Sequence, residues 1–234
     1  MKVLVWDDDS YLNNPAAIDM HPNGIRNTIA NFLKCDDIEV TTAVLSDEDC
    51  GFTEEVLRET DVLIIWSHGG NEKIPDPIVE RVWNHILGGM GLIALHSSHF
   101  NKIFRKLMGT SCTLKWRMNV RERLWTIAPN HPIAQGVDET FALEAEEMYG
   151  EPFGIPNPDE VLFLGWFAGG EVFRSGCTFT RENGKIFYFQ PGHEDNAAYY
   201  NENIQKIIKN AVKWACPLRK NIVLDCPHQE ALEQ

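Results

Sequence analysis

The chain has 234 residues, 44 % of them hydrophobic, with 34 acidic and 21 basic side chains and a formal charge of −13. That length and apolar content suit one large domain or a domain with an extension, and the acidic balance argues against nonspecific nucleic-acid binding, which needs clustered Lys and Arg. No apolar run approaches the ~20 residues of a membrane helix, and MKVLVWDDDS is too short and too acidic afterwards for a secretory signal, so a cytoplasmic protein without a membrane partner is expected.

KVLVW (2–6) reads as the first core strand, followed by the polar stretch DDDSYLNNPAAIDMHPN without an assigned element. In GIRNTIANFLK, Ile25, Ile29, Phe32 and Leu33 share one face at helical spacing. IEVTTAV (38–44) is a β-branched strand, TEEVLRET a short helix with Thr53 as N-cap, and DVLIIW (61–66) a fully apolar strand. PDPIVERVWNHILGG predicts a broad-faced helix stopped by Gly88 and Gly89, and GLIALH (91–96) the next strand. HFNKIFRKLMG predicts a further helix, completing a parallel α/β pattern over the first ~110 residues.

The second half changes character. TLKWRMNVRERLWTIA predicts two extended segments; FALEAEEMYGEPF, DEVLFLGWF and EVFRSGCTFTRENGKIFYFQPG are strand-like, the last with an Asn183-Gly184 hairpin turn. NENIQKIIKNAVKWAC predicts a closing helix, and the residues after Pro217 show no periodicity. Cys35, Cys50, Cys112, Cys177, Cys216 and Cys226 form no C-x-x-C pair and are expected as reduced thiols.

In an open parallel sheet, ligands collect at the carboxyl ends of the strands. Asp7, Asp8 and Asp9 follow the first strand, His68 follows DVLIIW, and His96 ends GLIALH with His99 a turn beyond. His193 follows IFYFQPG, with Glu194 and Asp195 behind it. Imidazole is both the commonest transition-metal ligand and the natural acid/base near neutral pH. Blander roles stand beside these. His68 may hydrogen-bond the Gly69-Gly70 turn, His99 may be a first-turn helix residue, and His21 in HPNG is either a loop histidine or an anion contact. His85, His131 and His228 read as structural or exposed.

The acidic run LEAEEMY supplies a carboxylate. Strand alternation puts Leu143, Ala145 and Glu147 on an inner face with Tyr149, leaving Glu144 and Glu146 to water. A buried carboxylate needs a partner, which marks Glu147. Trp116 and Arg117 form either a sugar-stacking wall or a packed aromatic beside a surface cation. There is no G-x-G-x-x-G, P-loop or G-x-S-x-G, so neither a classical nucleotide site nor a serine-hydrolase elbow is supported.

GLIALHSSHF, LEAEEMYGEPF and KIFYFQPGHE, together with HPNGIRNTIA and ETDVLIIWSHGG, resemble the ThuA-like family, named for trehalose utilisation, over nearly the whole chain to about residue 215. The resemblance implies a flavodoxin-like α/β three-layer sandwich similar to class I glutamine amidotransferases. Its central sheet would be largely parallel, with extra antiparallel strands in the second half. One domain would span residues 1–216, with a tail over 217–234. Those amidotransferases carry a cysteine nucleophile at the strand-to-helix elbow, with a downstream His and Glu. Here the elbow holds His96, and His193-Glu194 fall near the downstream pair, so glutamine hydrolysis is not expected.

The resemblance further implies carbohydrate chemistry: breakdown of a disaccharide, or of a keto-sugar made by a partner sugar dehydrogenase, by hydrolysis, elimination or isomerisation. His96, His193 and Glu147 would bind a divalent metal, zinc first, with Glu194 moving a proton. His68, His99, Tyr149, His21 and Trp116 would contact the sugar substrate. Metal-free acid/base catalysis by the same histidines, or a non-catalytic sugar-binding or regulatory module, are the rival expectations. Exposed strand edges with Trp125 and Trp166 point to a homo-oligomer.

Overall fold

The computed structural model describes residues 1–233. Four short strands form the parallel half: β1 (Lys2–Asp7), β2 (Glu39–Val44), β3 (Val62–Trp66) and β4 (Gly91–Leu95). Five more follow: β5 (Lys115–Thr126), β6 (Thr140–Gly150), β7 (Glu160–Phe167), β8 (Val172–Arg181) and β9 (Gly184–Phe189). All nine join one mixed sheet in the order β2-β1-β3-β4-β9-β8-β7-β5-β6. β9 returns to lie parallel to β4 and antiparallel to β8, so it is the seam between the two halves.

β3 and β4 are buried along their whole length, which is why they read as uninterrupted apolar runs. On one face Val3, Val5, Ile64 and Ile93 pack with α2 (Ile25–Leu33) and α6 (Glu202–Ala215). On the other, Leu4, Leu63, Ile65 and Leu92 pack with α3 (Glu54–Glu59), α4 (Asp76–Leu87) and α5 (Lys102–Met108). Gly91 permits the closest of these approaches, since a Cβ there would lie 2.5 Å from the Ala215 carbonyl oxygen. Thr53 caps α3 as expected, its hydroxyl accepting from Val56 N–H at 3.3 Å.

Several local expectations are corrected. The polar stretch after β1 contains a 3-10 turn at Ser10–Asn13 and α1 (Pro15–Met20), started by the Asn14 side chain accepting from Ala16 N–H and by Pro15 at the first position. TLKWRMNVRERLWTIA yields one strand rather than two, bulged around Asn119, whose φ is +57°. The helix after β4 begins later than expected. His96–Phe100 is a 3-10 turn, and the Asn101 side chain caps α5 by accepting from Ile103 N–H. Arg181 pairs with Gly184, so the β8–β9 hairpin turns on Glu182 and Asn183, one residue before the expected pair. Beyond Cys216 the described tail forms no regular element; Ile222 N–H donates to the Gly88 carbonyl. Among the described residues every cysteine is free and no helix is long and apolar enough to cross a membrane.

Candidate functional site

The carboxyl ends of β1, β3, β4 and β9 converge, and β6 contributes from the antiparallel half. Asp8, just past β1, organises the loop after β3. Its Oδ2 accepts from Ser67 Oγ at 2.9 Å, His68 N–H at 2.8 Å and Gly70 N–H at 2.6 Å. Gly70 must lack a side chain, since a Cβ would stand 2.6 Å from Asp8 Oδ2. Ser97 and Ser98 tie the turn after β4 to β3 through the Ser67 and Ile65 carbonyls. His96 opens that turn with φ +52°, a left-handed conformation unusual for a residue with a side chain.

His96 is fully buried, and its Nδ1–H donates to the Gln190 carbonyl at 2.8 Å. A neutral ring therefore presents a lone pair at Nε2, and 3.0 Å away stands Glu147 Oε2. That oxygen is buried and receives no hydrogen bond. Burial alone would raise the Glu147 carboxyl, yet His96 and His193 hold it below the ordinary carboxylate range. Two lone pairs this close need a positive charge, either a proton on His96 or a shared cation.

His193 Nδ1–H donates to Asp195 Oδ1 at 2.7 Å, which also leaves its Nε2 as the free nitrogen. Donor atoms of His96, Glu147 and His193 all lie within 4.8 Å of one another, and the same holds for His68, His193 and Glu194. The donor set, two imidazoles with fixed tautomers and a carboxylate, fits a divalent transition ion. His68 Nδ1 contacts Glu194 Oε2 at 2.6 Å, and Asn14 Nδ2 donates to Glu194 Oε1 at 3.3 Å. Burial would raise the Glu194 pKa, but His68, His193 and Asn14 bring it down to about 2; Glu194 in turn raises that of His68.

A cavity of about 640 Å3 opens over this group, lined by the sequence-predicted His68, His99, Trp116, Glu147, Tyr149, His193 and Glu194. His96 does not line it, but stacks on Tyr149 at 5.1 Å and meets His193 edge-on at 5.3 Å. His99 donates from Nδ1 to the Cys112 carbonyl, and burial pushes its pKa down to about 4, so the ring is neutral. His21 lies outside this group. It is buried against Tyr200, with Nδ1 3.1 Å from Thr28 Oγ1. His85 is half-buried beside Glu54, and His131 receives Ile133 N–H at a turn.

The expected alternation along β6 fails at the decisive place. Glu146 is fully buried, while Ala145 is exposed. Register shifts between β5 and β6 at Val120 break the two-residue rhythm, and both faces of β6 are covered beyond residue 145. Glu146 Oε2 accepts from Gly192 N–H at 3.2 Å; burial pushes its carboxyl up to about 8. Behind it, Glu122 is also fully buried and raised well above its ordinary value by burial and by Glu146, while accepting from Ser175 Oγ. Gln190, unremarked in the sequence, donates from Nε2 to the Glu147 carbonyl at 3.0 Å while its own carbonyl holds His96. The available signals were the position of Asp8 at a strand end and of Gln190 in the QPGH segment beside His193.

Solved structures share this architecture. A putative ThuA-like protein from Bacteroides uniformis is 17 % identical, with 95 % of this chain and 94 % of that chain covered and a TM-score of 0.68. A second from Parabacteroides merdae is 14 % identical, covering 96 % and 92 %, with a TM-score of 0.67. A protein described as cytoplasmic from Salmonella typhimurium LT2 is 14 % identical, covering 92 % and 100 %, with a TM-score of 0.64. No curated protein matches the chain. The family model described as ThuA, trehalose utilisation, matches residues 2–215, and the chain belongs to that family.

Proposed function

We propose that the chain is a metal-assisted enzyme of carbohydrate catabolism, acting on a disaccharide or keto-sugar, with His96, His193 and Glu147 holding a divalent ion, zinc first. The observation that carries this is the buried Glu147 oxygen facing His96 Nε2 at 3.0 Å without a hydrogen bond. A bound divalent ion supplies Lewis acidity for a sugar carbonyl or hydroxyl, or an activated water. The protein's own groups prepare the rest. Gln190 O and Asp195 fix the two imidazole tautomers. His68, its pKa raised by Glu194, holds a transferable proton at the cavity wall, and Glu194 acts through that ring.

The strand order β2-β1-β3-β4-β9 supports a flavodoxin-like scaffold related to class I amidotransferases. With His96 at the elbow there is no thiolate for an acyl-enzyme. A cytoplasmic location is supported by the description of the Salmonella neighbour.

Elemental mass spectrometry on the untagged wild type, His96→Ala and His193→Ala tests the metal. Near-stoichiometric zinc or another divalent ion in the wild type, lost in both folded variants, is expected; a wild type that stays metal-free after reconstitution removes the reading. The His68–Glu194 ion pair favours a second reading, metal-free acid/base catalysis, which predicts activity that survives chelation with a bell-shaped pH profile.

A further inference from the structure

One side of the 640 Å3 cavity is apolar: Phe100, Leu114, Trp116 and Met118 line it. Trp116 is 64 % exposed, and Met118 and Phe100 also face solvent. Large apolar side chains left open at the mouth of a buried polar centre are a surface awaiting a partner. The opposite side carries three carboxylates, Glu147, Glu194 and Asp195, each already paired with an imidazole. The site is therefore rich in hydrogen-bond acceptors without an uncompensated negative charge to attract a cation.

No lysine or arginine is among the described residues that line the cavity. Basic groups nearby have other partners: Arg105 lies 4.9 Å from the centre of the Phe100 ring and pairs with Glu72, and Arg117 pairs with Glu171. A phosphate or carboxylate on the ligand would meet carboxylates and find no fixed cation to replace its lost hydration. A ligand with hydroxyl donors and one C–H-rich face satisfies both walls. The volume falls within the roughly 300–1,000 Å3 of pockets that enclose ligands of two-ring size.

We infer that the cavity takes an unphosphorylated, uncharged saccharide of about two rings, with the C–H face of one ring stacked on Trp116 and its hydroxyls turned to the carboxylate side. This rests on the carbohydrate reading above and narrows it. Any phosphoryl transfer to this sugar then belongs to a step after this protein acts, since a phosphate ester would be refused at the wall of carboxylates.

The test is ligand-observed saturation-transfer NMR with calorimetric titration, using trehalose, maltose and cellobiose as neutral probes and trehalose 6-phosphate as the charged one. At least one neutral disaccharide binds in the millimolar range or tighter, with saturation reaching its ring C–H protons, and the phosphate binds at least about tenfold more weakly. Trp116→Ala weakens the neutral probe about tenfold, and Trp116→Phe restores most of it, as expected for one stacking contact. Phosphate binding as tight as neutral binding, no neutral binding at millimolar concentration, or an indifferent Trp116→Ala would each overturn the inference. Metal content of the same samples separates the two readings. Zinc retained with no neutral-sugar binding refutes this inference alone; sugar binding without zinc refutes only the metal.

Discussion

His21 gives a quantitative test of how burial governs this protein's acid stability. Its ring is 1 % exposed, stacks on Tyr200 at 5.6 Å with planes 10° apart, and leaves Nε2 without a partner. Burial pushes its pKa from 6.5 down to about 4. The unfolded chain therefore takes up this proton first. The stability is fully present above about pH 6.5 and lost progressively as pH falls toward 4. At pH 5 the loss is about 1.4 kcal/mol per unit over roughly 1.5 units, or about 2 kcal/mol. His21→Phe keeps an aromatic ring on Tyr200 and removes the titration, while Thr28 Oγ1 retains its bond to the Gly24 carbonyl. Urea unfolding at pH 7.5 and pH 5 gives the comparison. Wild type loses about 2 kcal/mol more than the variant, an extra fall in midpoint of about 0.7 M for m near ~3 kcal/mol/M. The other titrating groups are common to both proteins and cancel in the difference. Parallel losses in the two proteins would refute the argument and mean that the ring is hydrated in the fold.

Two further substitutions probe the scaffold and the site. Gly91→Ala drives a methyl group to 2.5 Å from the Ala215 carbonyl, so α6 must shift; a loss of about 2 kcal/mol and a Tm lowered by roughly 4–8 °C are expected by differential scanning calorimetry. Gln190→Ala removes the amide that holds the Glu147 carbonyl. With the ligands still present, cobalt affinity measured from its visible absorption falls about tenfold or more, as for other residues that orient metal ligands.

The parallel half was legible because strands covered on both faces cannot afford polar residues, and VLVW, VLIIW and GLIAL stand out unaided. The histidines were legible for a related reason: position after such a strand places a residue at the sheet's open end. Alternation along β6 failed because it assumes an unbroken ladder, whereas the bulge opposite, at Asn119 and Val120, shifts the register before Glu146. α1 went unread because two cap residues, Asn14 and Pro15, start it within a polar stretch too short to show periodicity. Gln190 carries no charge and acts partly through its own carbonyl, so residue type alone could not flag it.

The place of β9 has a consequence for synthesis. β4 pairs with β9 from Leu92↔Ile186, so on the ribosome β4 waits as an open apolar edge until the chain has grown from one to the other. At ~5–20 residues per second that interval is roughly 5–20 s. Throughout it His96 has emerged while Gln190 and His193 do not yet exist. The nascent protein thus carries half a binding centre beside an unpaired strand, and the segment that closes the sheet is the one that completes the chemistry.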